Sequence, residues 1–144
     1  MSSLEKYLEE QRIAYFSMEV GLSDDIHTYS GGLGVLAGDT LRASVDLNIP
    51  MVAITLVSRK GYFRQELTQD GRQLEHPQEW NPSELMEALP TEVQVKIQNR
   101  NVKIRPWFHK IESITGGELP ILFLDTDVED NTEEDREITS FLYG

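Results

Sequence analysis

The sequence predicts an α/β fold, and three of its segments support that prediction. Residues 13–20 (IAYFSMEV) and 51–57 (MVAITLV) are apolar runs rich in branched and aromatic residues. Such runs are typical of strands buried on both faces of a parallel sheet. Between them, the sequence predicts a helix that runs to about residue 47, with one apolar or small face made by Leu33, Leu36, Ala37, Leu41, Ser44 and Val45. The three segments indicate one strand–helix–strand unit, whose first strand we expect to be central.

The remaining elements follow from the same kinds of pattern. Residues 3–8 predict a short leading helix, because apolar side chains fall at helical spacing behind a serine. Short alternating runs around the turns QDG (69–71) and NRN (99–101) predict two β-hairpins. The run LPILFLDTD (119–127) predicts another buried strand, and residues 136–144 predict the start of a helix. One long helix cannot cover these apolar strands on both faces, so we expect an incomplete domain.

Composition and charge exclude several classes of function. The 144 residues, of which 39% are hydrophobic, are enough for one globular core. With 13 basic and 25 acidic residues the net charge is −12, which repels phosphate backbones and anionic lipid headgroups. We therefore expect neither nucleic acid nor a membrane as a partner.

The absence of cysteine and of sorting signals narrows the chemistry and the location. With no cysteine there can be no disulfide, thiol catalysis or zinc–cysteine site. No signal peptide or membrane-spanning run is visible, so a cytoplasmic location is expected. The carboxylate-rich run at residues 125–137 predicts a solvated loop leading into a helix, and no metal site is expected there.

A glycine-rich loop directly precedes the predicted helix. Gly31, Gly32 and Gly34 lie in the segment YSGGLG, after the carboxyl end of the first predicted strand, where open α/β sheets bind ligands. Amides at a helix start have no internal partner, and glycine lets an oxyanion approach them. The pattern predicts an anion-binding loop, although such glycines can also serve only to pack a helix closely on a sheet. It lacks both the Gly-Lys-Ser/Thr of a nucleotide P-loop and the spacing of the dinucleotide fingerprint.

Five separated blocks resemble a known family in their order and approximate spacing. They are AYFSMEVGL, YSGGLGVLAGDTLRASVDLNIP, GYFRQ, EWNP and LPILFLDTD. Together they are similar to the start of the α-glucan phosphorylases, the glycogen, starch and maltodextrin phosphorylase family, from about Arg12 to Gly144. The chain looks most like the shorter bacterial and archaeal members, because its first block begins at Ile13. The resemblance therefore implies no N-terminal regulatory extension, and no control by phosphorylation or nucleotides.

The resemblance also implies an architecture and an activity. Residues 1–144 would be the N-terminal fragment of a Rossmann-like domain in a two-domain (GT-B) glycosyltransferase, with β-hairpin insertions. Orthophosphate would attack the terminal α-1,4-linked glucose of a glucan and release glucose 1-phosphate. Pyridoxal phosphate is the implied cofactor, α-1,4-glucan and orthophosphate are the implied partners, and a homo-oligomer is expected.

The resemblance assigns substrate-binding roles but no catalytic residue within this chain. The main-chain amides of Gly31, Gly32 and Leu33 would contact the substrate phosphate and glucosyl unit, with Gly34 completing the loop. Glu19 matches an acidic residue of the family, and both a role near the cleft and a loop-bracing role are open. Gly21 replaces a cofactor-contacting tyrosine of the animal enzymes. The cofactor lysine and the catalytic histidine belong to later parts of the family's chain, so we expect this segment alone to be inactive.

Two other functions remain open at this stage. The chain could be a non-catalytic carbohydrate- or phosphate-binding module that keeps the loop. It could also be the N-terminal half of a starch or glycogen synthase, although synthases usually carry a lysine before the related loop and HTYSGGLG has none. The three histidines, His27, His76 and His109, have no metal partner at ligand spacing and are predicted to be structural.

Overall fold

A mixed sheet forms the centre of the fold. The computed structural model describes residues 9–143, so the predicted leading helix at residues 3–8 lies outside the described residues. A 3-10 turn at Pro82–Glu84 precedes the fifth strand. In chain order the elements are β1 (Ile13–Phe16), α1 (Gly32–Asp46), β2 (Met51–Leu56), β3 (Arg64–Leu67), β4 (Gln73–His76), β5 (Glu87–Ala88), β6 (Val93–Ile97), β7 (Arg100–Glu112), β8 (Glu118–Asp125) and α2 (Glu133–Arg136).

The pairing of the strands confirms an α/β fold. The sheet runs in the order β1, β2, β8, β7, β5, and β6 also pairs with β7. Strands β1, β2 and β8 are parallel, with Ile13 opposite Met51 and Ala53 opposite Ile121. Strand β7 is antiparallel to β8, and β3 and β4 form a separate antiparallel pair. The strand–helix–strand unit and both hairpins are therefore confirmed, and the predicted strand at 119–127 lies at the centre of the sheet.

The prediction that the first strand is long, central and buried is wrong. Strand β1 ends at Phe16 and lies at the edge of the sheet, and the side chain of Phe16 is 72% exposed. The last hydrogen bond from this end of β1 to β2 runs from the Ser17 amide to the Ile54 carbonyl at 3.1 Å. Beyond that point the chain becomes a loop that buries Glu19 and Val20. An apolar run indicates burial, but it does not say which strands will lie beside it.

Helix α1 packs on the sheet largely through the predicted face, since Ala37, Leu41, Ser44 and Val45 are buried, but the prediction is wrong near the amino end of the helix. Leu33 and Leu36 were expected on the inward face, and they are 51% and 63% exposed. The inward face passes through two glycines instead, because a Cβ at Gly38 would lie 2.1 Å from the carbonyl oxygen of Gly21. The buried helix residues are Gly34, Ala37, Gly38, Leu41, Ser44 and Val45. Beneath them lie the fully buried side chains Val20, Ala53, Val57, Leu119, Ile121 and Phe123.

The carboxyl end of α1 is held by the turn between β7 and β8. Ser113 donates its hydroxyl to the Asp46 carboxylate, and Thr115 Oγ1 donates to the Asp46 carbonyl at 3.2 Å. Gly117 allows this approach, since a Cβ there would lie 2.0 Å from the Val45 carbonyl oxygen. The helix is thus in backbone contact near both of its ends.

The opposite face of the sheet is apolar and only half covered. Ile54, Leu56, Leu122 and Leu124 alternate with the buried residues of β2 and β8 and are of intermediate exposure. An open groove on this face is lined by Phe16, Met18, Ile54, Leu56 and Leu124, among others. We call this surface the open sheet face.

Two local predictions needed adjustment. The turn of the β6–β7 hairpin is Gln98 and Asn99, with φ of +47° and +67°, one residue earlier than predicted. Two successive positive φ angles are typical of a two-residue hairpin turn. The helix predicted to begin at residue 136 is wrong in position. Helix α2 begins after Thr132 and ends at Arg136. Oγ1 of Thr132 accepts a hydrogen bond from the Asp135 amide at 3.2 Å. The capping threonine thus sets the start of the helix inside the carboxylate-rich run.

Candidate glycine-loop site

The amino end of α1 presents main-chain amides without a side-chain cap. Gly31 is the N-cap residue, in extended conformation with φ −160° and ψ −157°, and no side chain caps the helix. The first intrahelical bond runs from the Val35 amide to the Gly31 carbonyl at 3.2 Å. The amides of Gly32, Leu33 and Gly34 precede it, so they have no carbonyl one turn earlier. No acidic residue lies in the first turn to neutralise their partial positive charge.

The glycines of the loop have two different surroundings. A Cβ built on Gly31 or Gly32 would meet no atom within 4 Å, so both face open space. A Cβ on Gly34 would lie 2.4 Å from the Cβ of Tyr29 and 2.9 Å from Oε2 of Glu19. Close packing therefore explains Gly34, and it does not explain Gly31 or Gly32. Leu33 lies beside them with its side chain half exposed.

Glu19 is buried behind the loop and braces it. Its side chain accepts the Ser30 amide on Oε2 at 2.8 Å and the Tyr143 hydroxyl on Oε1. The residue is only 2% exposed, so these donors replace the water that the carboxylate loses. Of the two roles left open for Glu19, the loop-bracing one is what these contacts describe.

Hydrogen bonds hold the rest of the loop against helix α1 and against itself. The Gly21 amide donates to the Gly34 carbonyl at 2.8 Å, and the Val20 amide donates to Thr28 at 3.0 Å. Arg42 on α1 reaches back and donates Nη2 to the Leu22 carbonyl at 2.5 Å. The exposed amides therefore project from a loop that is fixed along its length.

The surroundings of the loop include residues that sequence reasoning missed. An open pocket of about 380 Å³ beside it is lined by His27, Tyr29, Ser30, Tyr62, Phe63 and Gln78.

Tyr143 is 124 positions from Glu19 in the chain, so no local pattern could have paired them. The pKa of Tyr143 is raised, first because its hydroxyl donates to Glu19 and then because of burial.

The histidines have local partners. His27 lies 3.4 Å from the Gln78 amide nitrogen, and its ring meets Trp80 edge-on. His76 is 3.2 Å from Glu66, and His109 Nδ1 is 3.2 Å from a backbone carbonyl. Across residues 9–143, no group of three or more acidic or histidine side chains could hold a metal ion. None of the helices in the same range combines the length and apolar character that crossing a bilayer would require.

The lysines of the described region do not fit attachment of pyridoxal phosphate. Lys60 pairs with Glu137 at 2.7 Å, Lys103 pairs with Asp130, and Lys110 pairs with two glutamates at 2.6 Å. These hydrogen bonds raise the pKa of both Lys103 and Lys110. A lysine that forms a Schiff base must lose its proton, so its pKa needs to be lowered. Lys96 lies exposed on β6, away from any enclosed site.

Comparison with known proteins points to one family. The chain is 40% identical over 142 residues to a protein named maltodextrin phosphorylase from Thermococcus litoralis, an alignment that covers 94% of this chain. It is 40% identical over 140 residues to a glycogen phosphorylase from Mycobacterium tuberculosis and 34% identical over 139 residues to one from Aquifex aeolicus, covering 92% and 91% of this chain. No family model matches the chain.

The matches cover a small part of each relative. The chain spans 16% of the length of the first two proteins and 19% of the third. The resemblance inferred from the five sequence blocks is nevertheless confirmed, since three proteins with phosphorylase names match nearly the whole chain. Over most of its length, this chain is related to a portion of the α-glucan phosphorylases.

Proposed function

We propose that residues 1–144 form the N-terminal part of an α-glucan phosphorylase. In this proposal they belong to a Rossmann-like domain that faces a second, cofactor-binding domain in the two-domain GT-B arrangement. The complete protein transfers the terminal α-1,4-linked glucose of a glycogen, starch or maltodextrin chain to orthophosphate. The names of the relatives support this activity, and they favour it over a glucan synthase.

The same proposal covers the setting of the reaction. We propose a cytoplasmic homo-oligomer that takes α-1,4-glucan and orthophosphate as substrates. Pyridoxal phosphate would be attached through a lysine outside these 144 residues, because Lys60, Lys103 and Lys110 are engaged in ion pairs and Lys96 is exposed on β6. When bound, this cofactor supplies a phosphate group that takes part in proton transfer.

Within the reaction, we assign anion binding to the glycine loop. The amides of Gly31, Gly32 and Leu33 would donate to oxygens of the substrate phosphate and of the glucosyl unit. Fixed dipoles aimed at developing negative charge can stabilise a transition state by several kcal/mol, because they need no reorganisation during the reaction. The observation that carries this assignment is the open space at Gly31 and Gly32, at the uncapped start of α1.

Glu19 contributes indirectly in this proposal. Both of its oxygens accept hydrogen bonds from the protein, so it is suited to hold the loop in place. A carboxylate turned toward an incoming phosphate would repel it, whereas a carboxylate held by the Ser30 amide leaves the loop amides as the nearest polar groups. We therefore propose that Glu19 acts on the substrate through the loop.

The substitution Gly32→Val in the full-length protein tests the anion-binding role. A side chain at position 32 would extend into the open space in front of the amides and keep oxyanions away from them. We expect the rate of phosphorolysis to fall on the order of 10²-fold or more, the loss typical when one such donor is removed. The free energy of unfolding should change by less than about 1 kcal/mol, because a Cβ at this position meets no atom within 4 Å.

Ala43→Val is the matched control for this test. Ala43 lies on the exposed face of the same helix, so the substitution introduces the same β-branched side chain into α1 without approaching the loop. Its phosphorolysis rate should match that of the unmodified protein. If Gly32→Val retains activity within a few-fold, the glycine loop does not bind the anion as proposed.

A further inference from the structure

Tyr143 connects the last part of the described chain to the glycine loop through Glu19. The two oxygens of one buried carboxylate are shared between donors from distant segments, the Ser30 amide at 2.8 Å and the Tyr143 hydroxyl. Because Glu19 is 2% exposed, water cannot easily replace either donor. A buried carboxylate that loses a donor is costly, so the two contacts support each other.

The backbone around Tyr143 is arranged to bring its hydroxyl to Glu19. Tyr143 has a φ of +60°, a left-handed conformation that is uncommon for an aromatic residue. Such strain persists only where neighbouring contacts determine it, and it is concentrated at functional sites. Here the contacts are two backbone bonds, from the Leu142 amide to the Gly61 carbonyl at 2.9 Å and from the Lys60 amide to the Ser140 carbonyl at 2.7 Å.

From this geometry we infer that Tyr143 is a positioning residue for the glycine loop. Its hydroxyl fixes one oxygen of Glu19, so that the other oxygen holds the Ser30 amide and sets the direction of the amides at Gly31 and Gly32. The catalytic consequence of this inference rests on the function proposed above, while the structural consequence does not. The raised pKa of Tyr143 agrees with it, since the hydroxyl remains a donor throughout the neutral range.

The substitution Tyr143→Phe in the full-length protein removes only the hydroxyl. We expect the KM for orthophosphate to rise about tenfold, comparable to the loss of one hydrogen bond to a charged group. The KM for the glucan should rise less than the KM for orthophosphate, because the loop amides contact only the terminal glucosyl unit of the glucan. A merely structural role would reduce the amount of active protein and leave both KM values unchanged.

Tyr15→Phe is the control. Tyr15 packs against the core from β1, away from the loop, and should leave both KM values unchanged. The double variant Glu19→Ala with Tyr143→Phe gives a second check. If Tyr143 acts through Glu19, then Tyr143→Phe should add nothing in the Glu19→Ala background, which has no partner for the hydroxyl. Independent, additive effects of the two substitutions would overturn the inference.

Hydrogen exchange provides a readout that does not depend on activity. In the substrate-free protein, exchange of the Ser30 amide should be about tenfold faster in Tyr143→Phe than in the unmodified protein or in Tyr15→Phe. An unchanged Ser30 exchange rate together with an unchanged phosphate KM would refute the positioning role, even if Gly32→Val abolishes turnover. If the unmodified protein shows no phosphorolysis, the proposed function fails and the exchange measurement alone decides the inference.

Discussion

At the scale of single residues, the glycines of this chain serve two separate purposes. The sequence grouped Gly31, Gly32 and Gly34 as one motif, and the structure separates the two that face open space from the one packed on Tyr29 and Glu19. That separation could not be predicted, because the atoms that surround Gly34 come from an earlier part of the loop. The bracing of Glu19 was one of two roles that the sequence left open, and the contribution of Tyr143 lay beyond any local pattern.

The same separation predicts how two glycine substitutions differ in stability. Gly38→Ala places a Cβ 2.1 Å from the backbone oxygen of Gly21, and backbone cannot move aside as a side-chain end can. We expect the free energy of unfolding to fall by about 1–3 kcal/mol, the usual cost of overpacking. Gly32→Ala, at the first position inside the helix, meets no atom within 4 Å and should change it by less than about 0.5 kcal/mol. Urea denaturation of the variants measures both, and equal losses would show that α1 does not pack through Gly38.

At the scale of elements, the sequence predicted the secondary structure of individual segments, but not the features that depend on contacts between segments. The strand–helix–strand unit and the two hairpins were predictable because periodicity and turn residues lie within each segment. The position of β1 at the sheet edge was not, because the partners of a strand are set by distant segments such as β8. Only the amino-terminal part of the inward face of α1 was misassigned, because hydrophobic periodicity favours Leu36, whereas close contact with Gly21 requires Gly38.

The packing of α2 on the β6–β7 hairpin predicts an acid-dependent loss of stability. Asp135, whose side chain is 3% exposed, accepts Arg100 at 2.9 Å. This hydrogen bond, followed by that of Thr132, holds the pKa of Asp135 below its ordinary value despite burial. A folded-state pKa below the unfolded one, near 3.9, gives stability that is present above about pH 4 and is lost as the pH falls through the lowered value.

Asp135→Asn tests this dependence. The variant should unfold at a lower temperature than the unmodified chain at pH 7, because Arg100 loses its charged partner. Between about pH 4 and pH 2, its thermal unfolding midpoint should fall less than that of the unmodified chain. Thermal denaturation followed by circular dichroism over this pH range measures both effects. Glu133→Gln changes an exposed position of the same short helix, and its thermal midpoint should depend on pH as that of the unmodified chain does. If the thermal midpoint of Asp135→Asn falls as steeply with pH as that of the unmodified chain, Asp135 is not the source of the acid-dependent loss of stability.

At the scale of the whole molecule, the open sheet face leaves apolar side chains accessible. Because strands of a parallel sheet need cover on both faces, we expect the isolated 144-residue chain to self-associate through this surface. The net charge of −12 opposes association only within about 8 Å at physiological salt. Sedimentation equilibrium in physiological salt should therefore detect a dimer or a larger species.

Two matched variants test whether the open sheet face is the surface through which the isolated chain self-associates. Phe16→Gln changes a side chain on the open sheet face that is 72% exposed, and it should weaken the association. Leu67→Gln changes a side chain that is 73% exposed on the separate β3–β4 hairpin, and it should leave the association unchanged. A monomer with a sharp thermal transition would instead indicate that the described residues already form a complete domain.

The contacts at both ends of α1 give the helix a mechanical role. Its 15 residues span about 22 Å between the glycine loop and the β7–β8 turn. Close contacts at Gly34 and Gly38 prevent it from moving inward over its first half, and the close contact of Gly117 with Val45 does so near its other end. A helix confined in this way transmits an axial displacement along its length, because its hydrogen-bonded backbone resists compression. The position of the loop amides is therefore set jointly with a turn about 22 Å away.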